Sequence, residues 1–275
     1  MIKDIVVNLR QGERDPAGEF AVSVAAAFDA HILGVAFAFE PVVPGTVMGS
    51  IPVEFLEAQR AESERTAKAA AERFEEVARR AGVAAETRVI SASLGDAANQ
   101  LGRMARRFDL AVVGQPERED PTPDELVDEG VLFESGRPVM VVPYIQKGAL
   151  KLDRVMVCWD GSRAAARAVA DAMPLLQKAG KVEVVLVSEK GFKADEAPGA
   201  DLAKHLARHG LKIELKRITS PDLDVASTIL SYAADSNADM IVMGGYGHSR
   251  LREFILGGMT RSMLESMTVP VLMSH

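Results

Sequence analysis

The sequence predicts an α/β fold of two tandem domains, each a doubly wound, mainly parallel five-stranded sheet with helices on both faces. The first observation behind this prediction is internal repetition, because one series of apolar and amphipathic segments occurs twice in the same order. The second is that strand-like and helix-like segments alternate, which favours parallel βαβ units. The third is that the apolar runs are continuous, as in strands buried on both faces.

The repeated segments divide the chain near its middle. The pairs are the opening strands 5–9 and 155–159, the Ala-rich helices 20–30 and 164–176, the second strands 32–38 and 182–187, the third strands 87–90 and 212–216, the fourth strands 108–114 and 238–244, and the Pro-led closing strands 138–142 and 270–273. We therefore predict domains at 1–147 and 151–275, joined by a short linker.

The clearest helix covers residues 54–81. Its apolar residues form one broad stripe at helical spacing, and they are Phe55, Leu56, Ala67, Ala70, Ala71, Phe74, Val77 and Ala78. Glu and Arg residues occupy the other face, which we interpret as a solvated surface with i,i+4 ion pairs.

The closing strands of the two halves predict an assembly. A short apolar strand at the edge of a sheet exposes unpaired backbone groups and invites association. We expect residues 139–142 to pair with residues 269–273, which would make the chain an intramolecular pseudo-dimer. Pro270 cannot donate to a ladder, so the pairing should be short. Further dimerisation of whole chains is compatible with this arrangement but is not required by it.

Composition and charge exclude several partners. Hydrophobic residues make up 48% and charged residues 26%, as in globular proteins, and no apolar run is long enough to span a membrane. The single cysteine, Cys158, excludes an internal disulfide and is typical of a reducing compartment, so we expect a cytoplasmic location. Residues 1–150 contain 16 basic and 24 acidic residues, and the rest contain 16 and 15. Neither half has a basic footprint for nucleic acid.

A glycine-rich segment follows the fourth strand of the second half and leads into a helix that we predict at 259–266. Glycines let the backbone turn sharply and approach a ligand without a Cβ in the way. The N–H groups at a helix N-terminus bind phosphate oxygens, aided by the helix dipole. Thr260, in the first turn, adds a hydroxyl. The segment therefore predicts a phosphate site, although glycines alone are also typical of ordinary turns.

The spacing Gly244-x2-Gly247-x9-Gly257 resembles the ATP-binding branch of the universal stress protein family. The strand ending Cys158-Trp-Asp160-Gly-Ser and the closing Thr268-Val-Pro-Val-Leu are also similar to that family. The similarity covers residues 152–275, and the first half matches more weakly over its whole length. It implies Rossmann-like domains that pair through their last strands.

The resemblance also implies a site for ATP or another adenine nucleotide, with or without Mg²⁺. Asp160 would face the adenine or ribose, and the backbone of Val187 would hydrogen-bond the adenine. The residues implied to wrap the phosphates, with Met243 just before them, are Gly244, Gly247, Gly257, Gly258, Met259 and Thr260. Gly258 departs from the family pattern, which has Ser or Thr immediately after the third glycine.

The first half lacks this motif. Arg10 stands where the second half has Asp160, and residues 115–129 are rich in carboxylates and prolines instead of spaced glycines. Carboxylates repel phosphate, and prolines lack the N–H donors that such a loop needs. We therefore expect one nucleotide, held by the second domain only.

The leading hypothesis is an adenine-nucleotide-binding stress-response protein that acts as a sensor or regulator. The alternatives are a non-nucleotide protein-interaction module with structural loops and a slow ATPase. A P-loop and a dinucleotide fingerprint are absent from the sequence, and no catalytic set can be assembled, so dedicated catalysis is not expected. Asp160 is also suited to capping the helix that follows it. His205 and His209 have metal-ligand spacing but no third ligand, so no metal is expected.

Overall fold

A computed structural model describes residues 1–12, 14–41, 52–116, 123–188, 191–192, 198–220, 222–245 and 258–275. The elements, in chain order, are β1 (Asp4–Asn8), α1 (Pro16–Phe28), β2 (His31–Phe39), α2 (Val53–Ala81), β3 (Ala85–Ala92), α3 (Leu94–Ala105), β4 (Leu110–Gly114), α4 (Pro123–Glu134), β5 (Val139–Val142), β6 (Arg154–Cys158), α5 (Arg163–Leu176), β7 (Lys181–Ser188), α6 (Ala200–Arg208), β8 (Ile213–Thr219), α7 (Val225–Ser236), β9 (Met240–Gly244), α8 (Gly258–Ser266) and β10 (Val271–Ser274). The predicted alternation of strands and helices is confirmed. In the described part of the chain, no helix is both long enough and apolar enough to cross a membrane.

The chain forms two compact units. The first comprises Met1–Arg137 and Lys147–Ala149, and the second comprises Pro138–Gln146 and Leu150–His275. The strand β5, which closes the first half of the sequence, therefore belongs to the second unit.

The first unit has its strands in the order β3-β2-β1-β4, all parallel. The strands β1 and β4 are buried along nearly their whole length, which explains their uninterrupted apolar sequence. The helix α2 approaches β2 closely at Gly34, where an added Cβ would come within 2.8 Å of the Phe74 ring. Glycine at this strand position thus makes room for a ring.

The helix α2 begins and ends as the sequence predicts to within one residue, but its apolar stripe is shorter than expected. Ala67, Ala70, Ala71, Phe74 and Ala78 are buried. Phe55 is 53% exposed, and Leu56 and Val77 are half-buried. For Phe55 and Leu56 the reason is length, because 29 residues of helix extend about 43 Å, well beyond the strands on which α2 packs.

The second unit has the strand order β5-β10-β9-β6-β7-β8. The five strands β6 to β10 are parallel, and β5 pairs antiparallel with β10. Val271, Leu272 and Met273 lie opposite Val141, Met140 and Val139. The predicted pairing of the two closing strands is confirmed. It is short, as expected, because β10 begins only after Pro270, whose carbonyl accepts from the Ile241 N–H at 2.9 Å.

One carboxylate, Glu183, is buried in the middle of the apolar strand β7. Its Oε1 pairs with Arg154 Nη1 at 3.0 Å and Lys181 Nζ at 3.1 Å, and its Oε2 accepts from the Tyr232 hydroxyl at 3.1 Å. Burial, and then the charge of Glu183, raise the pKa of Tyr232. The carboxylate is thus tolerated in the core because both oxygens are satisfied.

The strand pairing in the second unit predicts the effect of Leu272→Asp. Leu272 is 1% exposed, so an aspartate there would bury an unpaired charge opposite Met140. We expect urea denaturation to show a loss of about 3–5 kcal/mol in the free energy of unfolding. The control is Thr268→Asp, which places the same charge on an exposed residue and should cost little. Equal losses in the two variants would contradict a buried pairing of β5 with β10.

Candidate functional site

The predicted nucleotide residues of the second unit gather at one edge of its sheet. The strands β6, β7 and β9 are parallel, so their carboxyl ends meet there and place Asp160, Val187 and Gly244 at the same edge. The helix α8 returns from β9 to the parallel strand β10, so its N-terminus, Gly258 to Thr260, lies at this edge as well. Met243 is buried within β9. Gly247 and Gly257 lie outside the described residues.

The turn after β6 fixes Asp160 in place. Asp160 Oδ1 accepts a hydrogen bond from the Ser162 backbone N–H at 2.8 Å. Gly161 has φ +76°, the left-handed conformation that favours glycine. The helix α5 is capped by Ser162, whose Oγ accepts from the Ala165 N–H at 3.1 Å. The capping role considered for Asp160 therefore belongs to Ser162, and Asp160 is an exposed carboxylate at the sheet edge.

The backbone of Val187 faces the end of β6. The Val185 carbonyl accepts from the Trp159 N–H at 2.9 Å on the β6 side, whereas the Ser188 carbonyl accepts from Ser220 on the β8 side. Backbone groups alternate sides along a strand, so the N–H and C=O of Val187 point to the β6 side. The pairing of β6 with β7 stops opposite Val185. Val187 therefore presents one donor and one acceptor beyond the end of its neighbour, and such a pair can bind a planar base edge.

Gly244 has a packing reason to be glycine. A Cβ built on it would lie 2.5 Å from the Ala165 nitrogen and 2.7 Å from the Ala164 carbonyl carbon. The missing side chain lets the N-terminus of α5 approach the end of β9. This contact is independent of any ligand.

Gly258 stands in open space at the start of α8. No atom of the described residues lies within 4 Å of a Cβ built there. Met259 is half-buried, and Thr260 is 4% exposed. The residue before α8 in the sequence is Gly257, which has no side-chain acceptor for the first N–H groups of the helix, whereas α5 and α7 are preceded by Ser162 and Asp224. The first turn of α8 is thus suited to receive an acceptor from outside.

Sequence reasoning missed Ser274, which lies opposite Gly244 in the register of β9 and β10. Its Oγ is buried and has no hydrogen-bond partner among the described residues. The sequence signal that could have identified Ser274 is a polar residue at the end of an apolar strand. Cys158, by contrast, behaves as predicted, since burial and then the nearby Asp160 carboxylate raise the pKa of its thiol to about 12. It is a small hydrophobic residue here.

The imidazole rings of His205 and His209 lie edge to face, with centroids 4.8 Å apart. Within the described ranges, no three metal-ligating side chains come together.

The corresponding edge of the first unit is filled. A Cβ on Gly114, the counterpart of Gly244, would come within 2.5–2.8 Å of three atoms of the Arg10 guanidinium. Arg10 Nη2 also donates to the Gln115 carbonyl at 2.7 Å and pairs with Asp128 at 3.3 Å. The side chain at the position of Asp160 thus occupies the sheet edge itself.

Comparison with known proteins extends this picture. A sequence profile described as the Universal stress protein family matches residues 151–275. A universal stress protein of Synechocystis sp. is 24% identical over 147 residues, which are 52% of this chain and 49% of that protein. The chain thus spans about half the length of this curated relative.

Two solved structures share the fold over almost the whole chain. A universal stress protein from Archaeoglobus fulgidus covers 98% of this chain and 95% of its own, at 19% identity and a TM-score of 0.67. A functionally unknown protein from Pseudomonas aeruginosa covers 99% and 92%, at 15% identity and a TM-score of 0.60. At these identities the likeness establishes the α/β fold alone.

The same substitution is expected to affect stability differently at the two glycines of this edge. Gly244→Ala should destabilise the protein by about 1–3 kcal/mol, because the new methyl group overlaps the backbone of α5. Gly258→Ala is the matched control and should be close to neutral, since the methyl group would contact no atom of the part of the chain that the structure describes. Thermal unfolding of both variants without ligand checks this, and equal midpoints would contradict the described packing of α5 on β9.

Proposed function

We propose that the chain is an adenine-nucleotide-binding stress-response protein acting as a sensor or regulator, and the match of residues 151–275 to the universal stress protein profile supports this proposal. The nucleotide is held by the second unit. The proposal includes a cytoplasmic location, for which the single cysteine is the supporting observation.

The observation that carries the proposal is the N-terminus of α8 at the carboxyl edge of the sheet, where no described residue lies within 4 Å of a Cβ built on Gly258. In open α/β sheets, ligands bind outside the carboxyl ends of the strands, where the direction of the crossovers reverses. In the second unit this reversal lies between β6 and β9, the strands that end next to Asp160 and Gly244. The helix α6 also begins after a glycine, but Gly199 is covered by Leu186 and Leu215. Among the described residues, none covers Gly258 at the start of α8 in this way.

Each group at this edge suits one part of an adenine nucleotide. The N–H and C=O of Val187 match the donor and acceptor on the adenine edge. Asp160, held by Ser162, is placed to accept from the ribose hydroxyls or the base. The N–H groups of Gly258, Met259 and Thr260, together with the spaced glycines Gly244, Gly247 and Gly257, suit the phosphates.

Experiments in solution distinguish this function from the two alternatives. A protein-interaction module with structural loops would not bind ATP. A slow ATPase would release phosphate above the buffer background, with Mg²⁺ present. Mass spectrometry of ligand carried through purification distinguishes ATP, ADP and AMP.

The proposal predicts one nucleotide per chain. Arg10 fills the first unit's edge, so isothermal titration with ATP should saturate at one equivalent, with and without Mg²⁺. Asp160→Ala should weaken binding about tenfold or more, because it removes a hydrogen bond to a charged acceptor. The matched control is Asp171→Ala, which removes a carboxylate from a helical ion pair of the same unit. Two equivalent sites would refute the asymmetry, and no heat at any ATP concentration would favour the interaction module.

Two substitutions of Gly258 are expected to change the affinity for ATP in opposite directions. Gly258→Ser adds the missing hydroxyl in open space and should tighten ATP binding by up to about 1.5–3 kcal/mol, the net worth of a hydrogen bond to a charged group. Gly258→Asp places a carboxylate at the same point and should abolish binding by repulsion. A carboxylate at a helix N-terminus stabilises the helix, so the fold should survive this change. Unchanged affinity in both variants would show that the phosphates do not approach α8.

A further inference from the structure

A buried polar cluster lies at the carboxyl edge of the first unit's sheet. Asn8 ends β1, Arg10 follows it, Gln115 follows β4, and Asp128 lies on α4. Asn8, Gln115 and Asp128 are 1%, 1% and 3% exposed. Asn8 Nδ2 donates to Asp128 Oδ1 at 2.9 Å, and Arg10 Nη2 pairs with Asp128 Oδ2 at 3.3 Å. One amide and one guanidinium therefore hold both oxygens of a carboxylate away from water.

The members of this cluster correspond to the proposed site residues of the second unit. Arg10 stands two residues after the end of β1, as Asp160 does after β6. Asp128 precedes β5 by the same number of residues as Thr260 precedes β10. Where the second unit has a carboxylate on the turn and a hydroxyl on the helix, the first has a guanidinium on the turn and a carboxylate on the helix.

We propose that Arg10 and Asn8 form a binding site for a small carboxylate-class anion and that the side chain of Asp128 occupies this site as a built-in ligand. Arginine with an amide donor is a typical partner set for a carboxylate, and the pairing is strong where water is excluded. The chain thereby closes the first unit's edge against ligands from solution. This inference goes beyond nucleotide binding by the second unit and does not depend on it.

The helix that carries Asp128 is held firmly against its neighbour. A Cβ on Gly130 would lie 2.7 Å from the Ala98 Cβ of α3, and one on Gly102 would lie 2.6 Å from the Glu134 Cβ of α4. Gly102 of α3 and Gly130 of α4 thus allow the two helices to pack in close contact. The backbone of Asp128 is fixed by this contact, so its carboxylate is preorganised over Arg10 and Asn8.

The test removes the built-in ligand and supplies a free one. Asp128→Ala leaves a space of the size of a carboxylate, and formate is the probe because it is the smallest carboxylate. Thermal midpoints are measured by circular dichroism in sodium formate and in sodium chloride at equal ionic strength. At ten times its dissociation constant, formate should raise the midpoint of Asp128→Ala by about 4 °C over chloride.

Three controls accompany this measurement. The wild type, whose site is occupied, should have the same midpoint in both salts. Asp171→Ala, which removes a carboxylate from an ion pair of the second unit, should also show no preference for formate. Arg10→Ala/Asp128→Ala should lose the response because the guanidinium is gone. Equal midpoints of Asp128→Ala in formate and chloride, or a response that survives in the double variant, would overturn the proposal.

A second variant keeps the proposal falsifiable if Asp128→Ala does not fold in chloride. Asp128→Asn preserves the shape but removes the charge, so its midpoint should fall, and Arg10→Met/Asp128→Asn should recover part of the loss. A wild-type midpoint for Asp128→Asn would overturn the proposal. An ATP titration of the wild type separates the two proposals, because failure to bind ATP would refute the function of the second unit and leave the formate result unchanged.

Discussion

The parallel direction of the strands is the constraint on which both candidate sites depend. A helix that connects two parallel strands must run back against them, so its N-terminus lies at the carboxyl edge of the sheet. In the second unit this rule places the starts of α5, α7 and α8 at the ends of β6, β8 and β9. Every such start has N–H groups without partners inside the helix. The chemistry of the edge therefore depends on what satisfies these groups.

The two halves of the sequence have the same order of strands and helices, but the two units satisfy the polar groups at this edge in different ways. In the second unit, Ser162 and Asp224 cap α5 and α7, while the sequence has two glycines, Gly257 and Gly258, where α8 begins. In the first unit, Asp15 and Ser93 cap α1 and α3, and the polar groups of the edge bond to each other. A guanidinium in place of a carboxylate on the turn, and a carboxylate in place of a hydroxyl on the helix, are enough to account for the difference. An edge that holds its own ion pair cannot also receive a phosphate without leaving buried charges unpaired, which is costly.

Much of the fold could be predicted from the sequence because long apolar runs and helical periodicity are local signals. The strand β5 was found with its observed ends, and the pairing of β5 with β10 followed from the need to cover two apolar edges. The exposed start of α2 could not be foreseen, because the pattern that makes Phe55 part of a stripe does not reveal where the sheet beneath it ends. The capping role of Ser162 was missed since Asp160 is an equally good acceptor by type, and the turn at Gly161 decides between them.

The sequence predicts the candidate site only in part, for a physical reason. The identity of Arg10 at the place of Asp160 was visible along the chain, but its partner Asp128 lies more than a hundred residues away and contacts it only in the folded unit. The resemblance of the glycine spacing to the universal stress protein family assigns Gly244 to the phosphates. In the structure its missing side chain also makes room for Ala164 and Ala165. A glycine can serve backbone packing and ligand approach at once, and the sequence alone cannot separate these two requirements.

The position of β5 gives the first half of the sequence a structural role in the second unit. Without β5, the strand β10 would be an edge strand with unpaired N–H and C=O groups along Val271 to Met273. The helix α8, with Gly258 to Thr260 in its first turn, leads directly into β10, so the anchoring of β10 also limits the movement of α8. An N-terminus that binds phosphate must be held in place before the ligand arrives, since the ordering of a loose helix would reduce the affinity. A first half that has closed its own ligand edge can therefore still matter to binding, because it contributes the strand that covers β10.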